Sequence, residues 1–155
     1  MHFGGPHDLE SLADALGFPQ PRSVIDLPPE PWAAERTRMH PAPYLIAGDP
    51  PLIGLQTLSQ SVLIGPVRYS WLGGVYYPWP VLQDARAVPI FLEQDALLEE
   101  LTRLTKQLLR SRRREFRRCD HCGETLPNEQ MMERGFDPGV NVCHGCAQEK
   151  YGVVF

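Results

Sequence analysis

Cys119-Asp120-His121-Cys122-Gly123 and Cys143-His144-Gly145-Cys146-Ala147 decide how the C-terminal part of this chain folds. They are two Cys-x-x-Cys pairs separated by twenty residues, and they contain all four cysteines of the protein. Two residues between cysteines let one tight turn present two thiolates. Two such turns supply the four soft ligands that a tetrahedral zinc ion takes at about 2.3 Å. Gly123, directly after the first pair, gives that turn access to positive φ. The spacer is long enough for a hairpin that returns the second pair to the first. Two disulfides would require an oxidising compartment, which nothing in the sequence suggests. A redox dithiol uses one such pair in a βαβ setting, and iron–sulfur clusters usually have other spacings. The expected ligands are therefore Cys119, Cys122, Cys143 and Cys146, with zinc as the cofactor. His121 and His144 are expected to be turn residues beside the ligands.

Immediately before the first cysteine the charge changes sign. Residues 103–118 hold eight of the fifteen basic side chains and one acid (Glu115), in a chain whose net charge is −4. This stretch ends a predicted amphipathic helix over residues 93–118. Leu97, Leu101, Leu104 and Leu108 recur at helical spacing, and Leu98 and Leu109 widen the stripe. Acids gather at its start and bases at its end, as the helix dipole favours. The stripe is expected to pack on a sheet or on a second copy of the helix. Arg110, Arg113, Arg114 and Arg117 would share one helical face, and arginine forks suit phosphate oxygens. The competing reading is a solvated helix end paired with acids of the finger, namely Glu124, Glu129 and Glu133.

Further upstream, residues 44–92 read as a small, mostly antiparallel sheet. Branched and aromatic runs at Tyr44–Ile46, Leu52–Leu58, Val62–Ile64, Val67–Leu72, Val75–Tyr77 and Val88–Leu92 alternate with Gly- and Pro-rich breaks, among them Gly65-Pro66 and Pro78–Pro80. Gly73-Gly74 is a hairpin signal. Tyr69, Trp71, Tyr76, Tyr77 and Trp79 either fill a core or form a binding face. Residues 19–43 carry seven prolines and are expected to be extended, with one helical turn around Ala33–Arg38. Residues 1–18 contain a short helix at 8–16, with Asp8 as N-cap and Gly17 as stop. The whole is an α+β chain ending in a finger over residues 119–155.

Arg117-Arg118-Cys119-Asp120-His121-Cys122-Gly123-Glu124-Thr125-Leu126-Pro127, followed by Val142-Cys143-His144-Gly145-Cys146-Ala147, resembles the four-cysteine fingers of the DksA/TraR family. It is also similar to the N-terminal zinc-binding domain of the ClpX chaperone. The resemblance covers residues 116–150 and implies a treble-clef arrangement, in which the second knuckle opens a helix. The spacer is slightly longer than is usual in either family. Only one long helix precedes the finger, so the helical hairpin that DksA extends into RNA polymerase has no counterpart. These 155 residues hold no counterpart of the ClpX ATPase.

No catalytic constellation stands out. Gly-x-Ser-x-Gly, a phosphate-binding loop and His-Glu-x-x-His are all missing, and no cysteine is left over as a nucleophile. An HNH-type nuclease needs a histidine between the knuckles, and residues 123–142 contain none. A non-enzymatic protein is expected. No run approaches the roughly 18–20 apolar residues of a membrane span. Met1–Pro6 lacks the features of a signal peptide, so the expected location is cytoplasmic. Two functions stay open: a regulator associated with nucleic acid or RNA polymerase, and a protein–protein adaptor or homodimer module.

Overall fold

The computed structural model describes residues 6–24, 44–70 and 79–153. Helix α1 (Pro6–Ala15) is followed by strands β1 (Pro21–Val24), β2 (Tyr44–Ala47), β3 (Ile53–Thr57), β4 (Ser61–Ser70), β5 (Trp79–Leu82) and β6 (Arg86–Pro89). Helix α2 (Gln94–Arg113), strands β7 (Phe116–Arg118) and β8 (Thr125–Pro127), a 3-10 turn at Asn128–Gln130 and helix α3 (His144–Tyr151) complete the chain. The fold is α+β, as expected. The predicted Ala33–Arg38 turn, the Gly73-Gly74 hairpin and the aromatics Trp71, Tyr76 and Tyr77 lie outside the described residues.

α1 begins at Pro6, so Asp8 sits in its first turn instead of preceding it. Proline suits that position because its missing N–H would have had no helical partner. The helix stops where expected. Phe18 N donates to Ala13 O at 3.0 Å and Gly17 N to Asp14 O at 3.1 Å, the paired bonds of a Schellman motif. Phe18 is buried just beyond it.

The sheet is antiparallel throughout, with β1-β2-β3-β4 in order and both β5 and β6 along the far edge of β4. Two sequence expectations are corrected here. Gly65-Pro66 was expected to break a strand but lies inside β4. Val67 pairs with Leu82, and Ile64 with Arg86. Three residues, 83–85, thus oppose two, which is a β-bulge in what is otherwise one edge strand. A side chain at position 65 would meet the Ala85 Cα and Gln83 O at 2.8 Å, so only glycine admits the bulged chain. Gln83 N instead bonds to Pro66 O at 2.9 Å. Pro78–Pro80 was likewise expected to separate strands, yet Pro80 lies in β5. That strand ends the sheet path, where a missing N–H costs no ladder bond. A bulge of this kind bends the strand and raises its twist, curling the sheet.

α1 and α2 cover one face of the sheet. Leu45, Ala47, Ile53, Leu55, Val62, Ile64 and Val88 meet Leu9, Leu12, Leu97, Leu101 and Leu104 in one core. Alternate residues Ile46, Val67 and Leu82 form a smaller cluster. The leucine stripe therefore packs on the sheet of its own chain, and Leu101 is fully buried. Truncation by Leu101→Ala is expected to cost about 2–5 kcal/mol, read from the midpoint of urea unfolding. A loss under about 1 kcal/mol would mean the helix is not seated as described.

α2 is shorter than the predicted 93–118 span. Helix propensity gives no reason to stop at Arg113, because no Gly or Pro intervenes. The reason is tertiary: Glu115 turns away to meet Arg68 on β4, and Phe116–Arg118 pairs with β8 instead.

Candidate metal centre and the junction that holds it

β7 and β8 form a hairpin whose tip is the first knuckle. Gly123 N bonds to Cys119 O at 2.9 Å, and Gly123 takes φ 78°, a conformation that disfavours any larger residue. The spacer brings the second pair back through a single antiparallel bridge, Met131 to Cys143, instead of a full hairpin. Asp120 secures the return: its N bonds to Asn141 O at 2.8 Å, and its carboxylate accepts from Asn141 N at 2.6 Å. The second pair then opens α3, with Cys143 as N-cap. A knuckle on a hairpin tip and a second knuckle at a helix start match the plan that the resemblance implied. The finger has its own small core of Met131, Val142 and Ala147, flanked by Leu126, Phe136, Val140 and Val153.

The four Sγ atoms all lie within 4.8 Å of one another, and Cys122 and Cys143 are 3.9 Å apart. A tetrahedron of sulfurs at about 2.3 Å from its centre has edges near 3.8 Å, so the cage is the right size for a tetrahedral thiolate-bound ion. The thiols are free of disulfides; Cys119, Cys143 and Cys146 are buried and Cys122 is exposed. Backbone N–H groups aim at the sulfurs, Cys143 N at Cys119 Sγ and Cys146 N at Cys143 Sγ, both at 3.4 Å. Such donors favour the charged thiolates that a metal needs. These four cysteines could hold a metal ion.

The histidines stand beside this cage. His121 Nε2 lies 3.2 Å from the Tyr151 hydroxyl, which itself donates to Asp137 at 2.7 Å. Tyr151, edge-on to both His121 and Phe136, thereby ties α3 to the first knuckle and to the spacer. His144 is half-buried, and that burial lowers its pKa against a raising hydrogen bond with the Met131 backbone.

Without a metal the sulfurs differ sharply. Burial opposes ionisation of Cys119, but backbone N–H groups of Cys122, Cys143 and His121 outweigh it and bring its pKa down to about 6. Burial pushes the Cys143 thiol up. Burial, and then the neighbouring sulfurs, push Cys146 up to about 12. A bound divalent cation must therefore displace protons from Cys143 and Cys146 at neutral pH, and from Cys119 too once the pH drops below about 6. Affinity is expected to fall with decreasing pH, most steeply below that point. Competition with a chromophoric chelator across a pH series measures this. Affinity independent of pH would contradict thiolate ligation.

The finger is fixed to the sheet by an ionic junction: Glu129 does pair with the basic helix end, as the competing reading held, but the pair is buried instead of solvated. Arg112 is 1% exposed, in the last turn of α2. Its guanidinium makes a two-pronged contact with Glu129 of the 3-10 turn and also donates to Pro51 O at 3.2 Å. It lies 5.2 Å from the centre of the Phe116 ring, within cation–π range. Glu129 also accepts from Tyr69 N at 3.1 Å. Beside it, Arg68 forks onto Glu115 at 2.8 and 3.0 Å, and this pairing, against the effect of burial, raises the Arg68 pKa. Sheet, helix and finger thus meet on two arginine–glutamate pairs. The signal that could have found Arg112 is its place on the leucine stripe, four residues after Leu108.

The predicted phosphate-binding arginines part company. Arg110, Arg113 and Arg114 are exposed at the end of α2. Arg117 is on β7 and turned into the finger, donating to Asn128 at 2.9 Å, Asn141 at 3.2 Å and Met132 O at 3.1 Å. It does not share their helical face, because the helix has already ended.

Comparison with known proteins finds no matching family model, no matching curated protein and no matching solved structure. No match names DksA/TraR or ClpX; what is shown is four cysteines close enough together to hold a metal ion. Among the described residues, no helix is long and apolar enough to cross a membrane.

Proposed function

We propose that this is a non-enzymatic zinc protein that associates with nucleic acid, in the manner of a cytoplasmic regulator of nucleic-acid or transcription machinery. Zinc is the ion best matched to four thiolates in a small cage with a buried wall. Its role is structural: all four ligand positions are filled by protein, which leaves no open position for substrate. The observation that carries the nucleic-acid reading is a row of exposed cations beside that rigid module. Lys106, Arg110, Arg113 and Arg114 have no ion-pair partner among the described residues. Six to ten such contacts make binding strongly salt-dependent, and a smaller set still gives a measurable slope.

Reversing charge at Arg113 and Arg114 together is expected to weaken binding to DNA or RNA on the order of tenfold or more at low salt. Fluorescence anisotropy of labelled oligonucleotides reads this directly, with zinc content as the control for folding. Equal binding by parent and variant would remove these two residues from the interface.

A protein adaptor is the second reading, and one feature favours it. Phe91 is 80% exposed, and Leu58 and Leu92 are also exposed. Their loops are joined by Ile90 N donating to Gln60 O at 3.1 Å. Capture of a protein partner that is lost on Phe91→Ser, with no nucleic-acid binding, would favour the adaptor.

A further inference from the structure

We propose that the ligand surface of this protein is a groove along the solvent face of α2 that grips a sugar–phosphate backbone without reading bases. The inference rests on the nucleic-acid reading above and specifies its site and ligand chemistry. The groove is shallow and open, about 600 Å³, formed between side chains of this one helix and its C-cap, among them Arg103, Lys106, Gln107, Arg110, Ser111 and Arg114. Two of these cations, Arg103 and Lys106, lie upstream of the arginine cluster that the sequence pointed to. Arg117, which the sequence included, is committed to the finger.

Three observations select the ligand. The first is length. From Arg103 to Arg114 the helix rises roughly 16 Å, at 1.5 Å per residue. A single phosphate or a mononucleotide cannot span that row. A duplex, with about one charge per 1.7 Å of axis, presents several phosphates to it at once.

The second is charge. The groove holds four cations against one acid, Glu99. Arg103 alone of the four is paired, with the exposed Glu100, and also donates to Gln107 at 3.3 Å. That pair is two-pronged but open to solvent and screened by salt, so a phosphate can compete for Arg103.

The third is what the groove lacks. A protein partner would be expected to find an apolar or aromatic anchor at the centre of its interface. The groove's described lining contains none: between the cations stand the hydrogen-bonding side chains Thr102, Gln107 and Ser111. Base stacking likewise needs exposed aromatics, and this lining offers none. Charge, donors and length suit a phosphate backbone. Sequence-independent binding follows.

The test titrates the zinc-loaded protein against labelled duplexes and single strands, of mixed and homopolymeric sequence, over a series of salt concentrations. Lys106→Ala and Arg110→Ala are measured beside the parent; both side chains are exposed, and unchanged zinc content confirms the fold. Each substitution is expected to reduce the slope of log K against log salt on duplex by about 0.9 and to weaken all sequences alike. Retained binding with the parent slope in both variants would overturn the groove while leaving the nucleic-acid reading in place. Binding confined to one base composition would overturn backbone recognition. Polyglutamate competing as well as duplex at equal charge would assign the face to an acidic protein instead. No binding to any strand at low salt would remove this inference and the reading beneath it together.

Discussion

Glu129→Ala is expected to destabilise the protein by about 3 kcal/mol, far more than its place in a surface turn of the finger suggests. Removing one partner of a buried ion pair leaves the other as an uncompensated charge, and Arg112 has no route to water at 1% exposure. The loss should fall at the lower end of the range for such pairs. Pro51 O, the Glu115 carboxylate at 3.5 Å and the Phe116 ring would still face the guanidinium. The bond from Tyr69 N to the Glu129 carboxylate would be lost as well. For a chain of this length, about 3 kcal/mol corresponds to a drop of roughly 6–12 °C in Tm. Replacing both partners, as Arg112→Met with Glu129→Leu, should recover much of the loss because no charge is then left buried. If Glu129→Ala alone shifts Tm by less than about 2 °C, the junction does not join finger to sheet as described.

Loss of the metal should have the largest effect of all. Cys143→Ser removes a ligand and also the sulfur that accepts from Cys146 N at the start of α3. The finger's own core is a few side chains, too small to order its spacer and helix without a cross-link. The finger is therefore expected to unfold when the metal goes. Glu129 lies in it, so its unfolding exposes the Arg112 junction and weakens the sheet body too. Chelation should lower the thermal midpoint of the whole chain, measured by far-ultraviolet circular dichroism, by more than Glu129→Ala does. Restoring zinc should restore it. An unfolding curve that does not move on chelation would show that the cysteines do not hold the fold through a metal.

The contrast between these two predictions shows what was legible in the sequence. The cysteine pairs were, because a metal cage dictates spacing so tightly that four residues and one glycine nearly define it. α1 and α2 were as well, α1 from its leucine period and the Gly17 stop, α2 from a period with which the charge gradient agrees. The sheet was legible in its runs of branched residues but not in its punctuation. Gly65-Pro66 and Pro80 carry the chemistry of breaks, and only pairing partners distant in sequence reveal that they sit at a bulge and on an edge. The end of α2 was hidden for the same reason. Arginines are good helix formers, and what stops the helix is Arg68, some fifty residues upstream. Glu129 was legible as a partner of the basic helix end; the burial of Arg112 against it was not. A charge within a basic run looks solvated, and its burial depends on Glu129 arriving from the far side of the first knuckle.

The basic run that looked uniform in sequence therefore divides by environment. Arg112 and Arg117 hold the molecule together; Lys106, Arg110, Arg113 and Arg114 face solvent with no ion-pair partner among the described residues. Charge counting could not make that division.

Everything proposed for the finger depends on Cys119, Cys122, Cys143 and Cys146 together binding one zinc ion. The most direct test is native mass spectrometry of protein purified under non-oxidising conditions, alongside elemental analysis and thiol titration before and after chelation. One zinc per chain is expected, with four thiols becoming reactive as the metal is withdrawn. Protein isolated without zinc, unable to take it up and carrying its cysteines as disulfides, would contradict it.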